Sequence, residues 1–367
     1  MADTETTTQL AEATVVLSEK RSDDCSSGKC IYTPPPQKEQ GRYKFIRSIG
    51  FGGMKSVLLV HDADTNREVA MALMPDFRDR PDNDRQRFVR EAKLTASLEH
   101  PYIVPVHDIG TDKYGSPYFT MKYLRGLPLS TLVSRLSQQD PQTVEEYPAD
   151  RLLRLFVRVC QAVEFAHAQG YCHLDLKPGN INVGEFGDTY ILDWGLARAV
   201  DSSGCVVSEP CAIAVAGTPG YMAPEQINPE AGELGIKSDI YALGALLYTL
   251  LTFKSPGADT PKEEILRRTL TGEIPPPGAV APEHVTIPDS LEAIVLRAMA
   301  PAPGDRYNSV KELRTDILSF TSGFATVAEN ASPVKLLMLF VCRNAAWLLA
   351  LFFGIALAIT LTILWLF

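Results

Sequence analysis

Cysteine, histidine, net positive charge and long apolar runs are all scarce in this chain. Its seven cysteines fall at irregular spacings among 367 residues. That is not the disulfide framework of a small secreted domain, and free thiols in a reducing compartment are expected. Cys25 with Cys30, and Cys205 with Cys211, are near enough in sequence to ligate a metal or oxidise as pairs. No histidine cluster accompanies them, so a metal centre there is not the expectation. The net charge of −9 offers no general attraction for phosphate backbones, and no nucleic-acid partner is expected. The first residues, Met1 to Glu19, are acidic and polar apart from a short Val-Val-Leu patch, unlike a secretory signal. What is present suits a globule: 46% apolar residues can build a core, and 22% charged residues are ordinary.

One long apolar run does occur, from Ala345 to Phe367, and it carries no charge. About 23 residues at ~1.5 Å each make a helix of ~34 Å, enough to cross a bilayer core. Trp347 and Trp365 lie near its ends, where amphipathic rings favour the interface, and Lys335 and Arg343 precede it. A single-pass membrane helix at 345–367 is expected, with a juxtamembrane segment at 321–344, the lipid bilayer as a partner and the preceding domain cytoplasmic. Residues 1–41 are rich in Thr, Ser, Asp, Glu and Gln and contain Pro34-Pro-Pro36. They bury too little apolar area to offset ordering entropy and read as a disordered leader.

Between these ends the pattern changes once. Tyr43 to Gly50 and Ser56 to Val60 alternate as strands, joined by Gly50-Phe-Gly52-Gly53-Met-Lys55. Two strands linked by glycines form a hairpin whose backbone can close over phosphates. Glu68 to Met74 and Tyr118 to Leu124 read as further strands. Asp84 to Leu98 has apolar residues at helical spacing, with Glu91 on that helix. Helices then dominate: Leu152 to Gln169 with Gly170 as its stop, Ser238 to Leu251, Lys262 to Thr271, Ser290 to Met299 and Val310 to Phe320. Short strands at Ile181 to Val183 and Thr189 to Leu192 interrupt them. The fold class is α+β and bilobal, a small strand-rich lobe at 42–124 and a larger helical lobe at 125–320, with a cleft between.

The chemistry-bearing residues sit at that join. Tyr171-Cys-His-Leu-Asp-Leu-Lys-Pro-Gly-Asn180 is followed closely by Asp193-Trp-Gly195. A carboxylate can accept a proton from an attacking hydroxyl, while an amide and a second carboxylate hold divalent cations through oxygen. These motifs resemble the catalytic loop and metal-binding turn of eukaryotic-type (Hanks-type) protein kinases of the serine/threonine branch found in bacteria. Thr218 to Glu225, Ser238 to Gly244 and Pro303 to Arg306 match later signatures of the family in the correct order. The resemblance implies ATP and Mg²⁺ as cofactors and a protein presenting Ser or Thr as substrate. Asp175 would be the catalytic base and Lys177 would steady the transferring group. Asn180 and Asp193 would hold the metal. Gly50, Gly52, Gly53, Val57 and Ala70 would line the nucleotide, with Met121 behind the adenine and the backbone of Lys122 and Leu124 along its edge. Glu225 and Arg306 would form a buried ion pair.

The chain departs from the family pattern in three places. Val69-Ala70-Met71-Ala72 stands where V-A-I-K is expected, so the third strand supplies no cation. Lys55 instead occupies the place of the third glycine of the loop. This is similar to the with-no-lysine kinases, whose lysine reaches inward from the second strand, and Lys55 would then pair with Glu91. The alternative is a pseudokinase that keeps the fold as a scaffold or nucleotide-responsive module. Trp194 replaces Phe in the metal turn, a mild exchange of one packed aromatic for another. Leu174 replaces the Arg that in the family pairs with a phosphorylated activation segment, leaving Ser202, Ser203 and Ser208 without their usual docking partner. His173 reads as a packing residue of the loop. His61, His100, His107, His167 and His284 read as surface or loop histidines, and Arg78, Arg80, Arg85, Arg87 and Arg90 as a solvated helix face. Phosphoryl transfer is therefore expected to be nearly equal before and after phosphatase treatment, and a large loss would contradict this account of Leu174.

Overall fold

The computed structural model describes residues 41–51, 55–112, 115–207 and 217–366. Residues 1–40 of the expected leader, with Cys25 and Cys30 among them, and Gly52, Gly53, Ser208 and Cys211 lie outside the described residues. Strands β1 (Tyr43–Phe51), β2 (Ser56–Asp62) and β3 (Arg67–Leu73) form an antiparallel meander, followed by helix α1 (Asp82–Ser97). β4 (Val106–Thr111) and β5 (Pro117–Lys122) complete a five-stranded sheet of order β1-β2-β3-β5-β4.

The pleat of β3 sorts its residues cleanly. Val69, Met71 and Leu73 pack with Leu58, Val60 and Tyr43 on one face. Ala72 and Met74 face the other way, against Phe88 and Ala92 of α1 and Phe119 of β5. A small residue at position 72 thus lets α1 sit close to the sheet. β4 was not anticipated from the sequence. Its Val-His-Asp-Ile-Gly-Thr run is mostly polar, and only pairing with β5 makes it a strand.

The helical half begins with the short strand β6 (Gly126–Pro128), α2 (Leu129–Ser137) and α3 (Pro141–Glu146). Neither helix was foreseen, although α2 buries Leu129, Leu132, Val133 and Leu136, one face at helical spacing. α4 (Ala149–Ala168) ends at Gly170, whose φ of 81° lies in the left-handed region that glycine adopts without Cβ strain. Then come β7 (Tyr171–Cys172), β8 (Ile181–Gly184), β9 (Thr189–Ile191), β10 (Arg198–Ala199) and α5 (Pro224–Ile227). α6 (Ile236–Thr252) is buried almost throughout and is packed by α4 and by α9 (Asp289–Ala298), with α7 (Lys262–Thr271) and α8 (Pro277–Val280) between them in sequence. Gly244 sits where α6 meets α9: an added Cβ would lie 2.8 Å from both the Ala298 Cβ and the Met299 Cγ. α10 (Val310–Thr321) lies along α4. α11 (Pro333–Arg343) and α12 (Ala345–Leu366) follow, α12 corresponding to the apolar run.

The expected ion pair is present. Arg306 donates to Glu225 Oε1 at 2.7 Å and Oε2 at 2.9 Å, with both side chains fully buried. Its remaining donors reach the carbonyls of Ala300, Pro301 and Lys237, while Ser238 Oγ donates to Glu225 at 2.7 Å. Every guanidinium N–H is therefore used, which is what makes a buried pair tolerable. Removing one partner strands the other charge, so Arg306→Leu is expected to lower unfolding free energy by about 3–5 kcal/mol. Chemical denaturation would measure it, and a loss below 1 kcal/mol would show the pair to be dispensable.

Candidate active site

The sheet and the helical half face each other across a cleft, and charged side chains from three elements meet in it. Lys55 immediately precedes β2. In the β2–β3 register Val57 lies opposite Ala72 and Leu59 opposite Ala70. Lys55, two residues before Val57, therefore shares the inner face with Ala72 and stands diagonally from it. Its side chain reaches into the space that a longer residue at position 72 would occupy. There the ammonium makes a close ion pair with Glu91 Oε1 of α1 and lies 3.0 Å from Asp193 Oδ1, just after β9. Burial pulls the Lys55 ammonium down, but the two carboxylates more than reverse this and hold it above the ordinary lysine value. Burial likewise pushes Asp193 up, and Lys55 reverses that too, leaving it below the usual carboxylate range. Both groups keep their charges at neutral pH.

The catalytic-loop candidates converge on the opposite wall. Asp175 Oδ2 accepts from Lys177 Nζ at 2.8 Å and from Asn180 Nδ2 at 3.1 Å, and its Oδ1 accepts from Thr218 Oγ1 at 3.1 Å. Lys177 Nζ also donates to Thr218 Oγ1 at 2.7 Å. Thr218 thus ties the segment before α5 to the loop by bridging Asp175 and Lys177.

Two oxygens remain well placed for a hard cation. Asn180 spends its amide nitrogen on the Asp175 backbone oxygen at 2.9 Å and on its carboxylate, which turns Oδ1 the other way. The Asp193 bonds, to Lys55 and to Gly195 N–H at 3.4 Å, both fall on Oδ1 and leave Oδ2 clear among the described residues. An amide and a carboxylate oxygen, one from each, form a donor set that suits Mg²⁺ completed by phosphates.

Both motifs are held in unusual backbone conformations. Leu174 has φ of 65° and Asp193 of 55°, left-handed values that cost a non-glycine residue about 1–3 kcal/mol each. At Leu174 the compensation is visible. Asp239, fully buried on α6, accepts the N–H of His173 at 2.7 Å and of Leu174 at 2.8 Å, and pairs with His167 Nε2 at 2.8 Å. Gln226 donates to the Leu174 carbonyl at 2.9 Å. His173 accepts from Asp175 N–H through Nδ1 and faces the Leu192 carbonyl with Nε2, so it serves as a strut, its ring packed 4.6 Å from that of Trp194.

Several expectations need adjusting. Arg87 is not part of a solvated face: its Nε donates to the Gly195 carbonyl at 2.6 Å, pinning the metal turn to α1. His167 is neither a surface nor a loop residue but an internal partner of Asp239. Asp239 had no assigned role; its only sequence signal was its place in the Ser238 to Gly244 motif. Met121 and Lys122 lie at the end of β5, where the Lys122 N–H already donates to the Pro105 carbonyl at 3.0 Å. Gly50 and Val57 flank the hairpin end on β1 and β2, and Ala70 lies beside Met121 in the β3–β5 register.

The fold places this constellation in a family already described by sequence models. The chain belongs to the protein kinase family: the protein kinase domain model matches residues 43–316. It is similar to the serine/threonine-protein kinase PknD of Chlamydia pneumoniae, 39% identical over 300 residues, which covers 77% of this chain and 31% of that protein. PknD of Chlamydia trachomatis serovar D is 36% identical over 304 residues, covering 77% and 32%, and PknD of Protochlamydia amoebophila 34% over 299, covering 77% and 30%. The chain thus spans about a third of the length of the curated relatives it matches.

Burial pushes the Asp239 carboxyl up, but its hydrogen bond and charge interaction with His167, together with His173, outweigh it, so the folded value lies below the ordinary 3.8. A depressed folded value stabilises the native state fully above that ordinary value and is lost as pH falls through the folded one. Asp239→Asn is expected to destabilise by roughly 2–3 kcal/mol at pH 7, and the difference from wild type should shrink below about pH 4. Urea midpoints across pH would test this; a gap that stays constant into acid would refute it.

Proposed function

We propose that the chain is a membrane-anchored protein serine/threonine kinase that uses ATP and Mg²⁺ and takes its nucleotide-binding cation from Lys55. The observation that carries this is the Lys55 ammonium set between Glu91 and Asp193 on the face shared with Ala72. An active enzyme needs a cation at that point, and a decayed one has no reason to keep it paired. The relatives are named serine/threonine-protein kinases, which gives the scaffold reading no support.

When bound, Mg²⁺ would neutralise the phosphates of ATP, whose γ-phosphoryl group is the one transferred. Asn180 and Asp193 would hold the metal, and Lys55 would steady the phosphates in an orientation set by Glu91. Asp175 would accept the hydrogen bond of an incoming Ser or Thr hydroxyl, as it accepts that of Thr218 now. Lys177 would counter the charge that develops on the transferring group. The backbone carbonyl of Lys122 and the N–H of Leu124 would meet the adenine edge, with Met121 behind it, and the glycine-rich hairpin of Gly50, Gly52 and Gly53 would close over the phosphates.

Anchoring rests on α12. Its Ala345–Trp365 stretch averages a hydropathy of 2.5, none of it is buried against the rest of the chain, and at about 1.5 Å per residue it can span a bilayer core. Lys335 and Arg343 precede it, which favours a cytoplasmic kinase domain.

The test is phosphoryl transfer to a generic protein acceptor by the full chain in a lipid bilayer. Lys55→Met and Asp175→Asn are each expected to lower kcat/KM by ~10²-fold or more. Adding Ala72→Lys to Lys55→Met should restore part of the loss, because the two side chains share one face. Wild-type rates from Lys55→Met would defeat the assignment.

A further inference from the structure

Between the globular part and α12 lies α11, eleven residues that are apolar except at two positions. Those two, Lys335 and Arg343, are two i→i+4 steps apart with Leu339 between them, so the three line one face. That face is turned to the globular part at both ends. Lys335 Nζ is 2.6 Å from Glu329 Oε2 and 3.4 Å from Ser290 Oγ at the start of α9. The Arg343 guanidinium lies 3.8 Å from the centre of the Phe324 ring and donates to the Gly323 carbonyl at 3.4 Å. The helix is therefore fastened lengthwise along the helical half rather than extending away from it.

Its other side carries Val334, Leu337, Met338 and Val341, spacings of i, i+3, i+4 and i+7 that define a continuous stripe. All four are exposed, from 45% at Val341 to 77% at Val334. A stripe of this kind is costly in water and marks a surface with a partner. The occupant follows from what comes next in the chain. Asn344 alone separates α11 from α12, so a bilayer that receives α12 begins about one helical turn beyond Val341, the last residue of the stripe. Phe324 and Val327, in the segment that α11 is fastened to, are also exposed.

We infer that α11 is an interfacial helix that lies in the plane of the bilayer surface, with Val334, Leu337, Met338 and Val341 in the headgroup–acyl boundary, and so seats the kinase domain on the membrane in one orientation. The partner is the lipid surface, and the inference rests on α12 being a membrane helix. Its consequence is that the cleft is presented at a set height and angle instead of swinging on a flexible tether.

The experiment uses the full chain in phosphatidylcholine–phosphatidylglycerol vesicles. Cys25, Cys30, Cys205, Cys211 and Cys342 are changed to Ser, and the buried Cys160 and Cys172 are retained. Single nitroxide labels are placed through Leu337→Cys, Val341→Cys, Ile355→Cys on α12, and Phe186→Cys on an exposed loop. Oxygen and a water-soluble nickel chelate compete to relax each label. The label at Ile355 should be deep, and those at Leu337 and Val341 roughly 5–10 Å below the phosphates, with an oxygen-to-nickel ratio several-fold above that at Phe186. If Leu337 and Val341 match Phe186 while Ile355 is deep, the interfacial helix is overturned and the anchor stands. If Ile355 is also open to nickel, the anchor itself fails. Dipolar broadening at Val341 with low access to both reagents would instead assign the stripe to a second copy of the chain and overturn the lipid proposal.

Discussion

One half-buried cation holds the two halves of the cleft in register. Lys55 enters from the start of β2, Glu91 from the middle of α1 and Asp193 from the turn after β9. The sheet, the helix and the helical half are joined at a single ammonium. Opposite charges in a partly dry site attract strongly enough to fix their carriers, and Arg87 adds a second tie from the same helix to Gly195. α1 can come this near the sheet because Ala72 is small. A lysine at position 72 would put a second ammonium into the same space and displace the first.

The helical half supplies rigidity of another kind. Asp239 and Glu225 are buried carboxylates that each accept three hydrogen bonds. Asp239 holds the strained Leu174 peptide, so the loop that carries Asp175, Lys177 and Asn180 is braced from α6. Glu225, with Arg306, braces the segment that delivers Thr218 to the same loop. The loop is thus positioned by two carboxylates that make no contact with the side chains of Asp175, Lys177 or Asn180 among the described residues. Leu174 fits this arrangement: with an apolar side chain, 7% exposed, the loop is braced from within the core and presents no arginine to the activation segment.

Strong periodicity made much of the fold legible in advance. The strands around the glycine hairpin, the long helices from Ala149 onward and the apolar run at the end all announce themselves through spacing. β4 did not, because its polar residues become a strand only when β5 offers a ladder. Arg87 and His167 were misjudged for a related reason. Arg87 sits in a polar helical stretch and His167 on a half-buried helix, and nothing local tells whether either side chain meets water or a buried carbonyl or carboxylate. The Lys55–Glu91 pairing was inferable because one missing lysine and one extra lysine fall on neighbouring strands.

The amino-acid order alone determined which groups are on offer: closely spaced carboxylates, lysines and an amide, and an apolar helix of membrane length. It did so because these depend on residue type and short-range spacing. The folded chain decided which charge meets which, that Asp239 braces the loop, and that α11 lies fastened along the domain with its apolar stripe outward. Those outcomes depend on contacts between residues 36 to 138 positions apart for Lys55 alone. Such contacts form only when separate elements pack, and the packing is set by the shapes of side chains that carry no chemistry of their own.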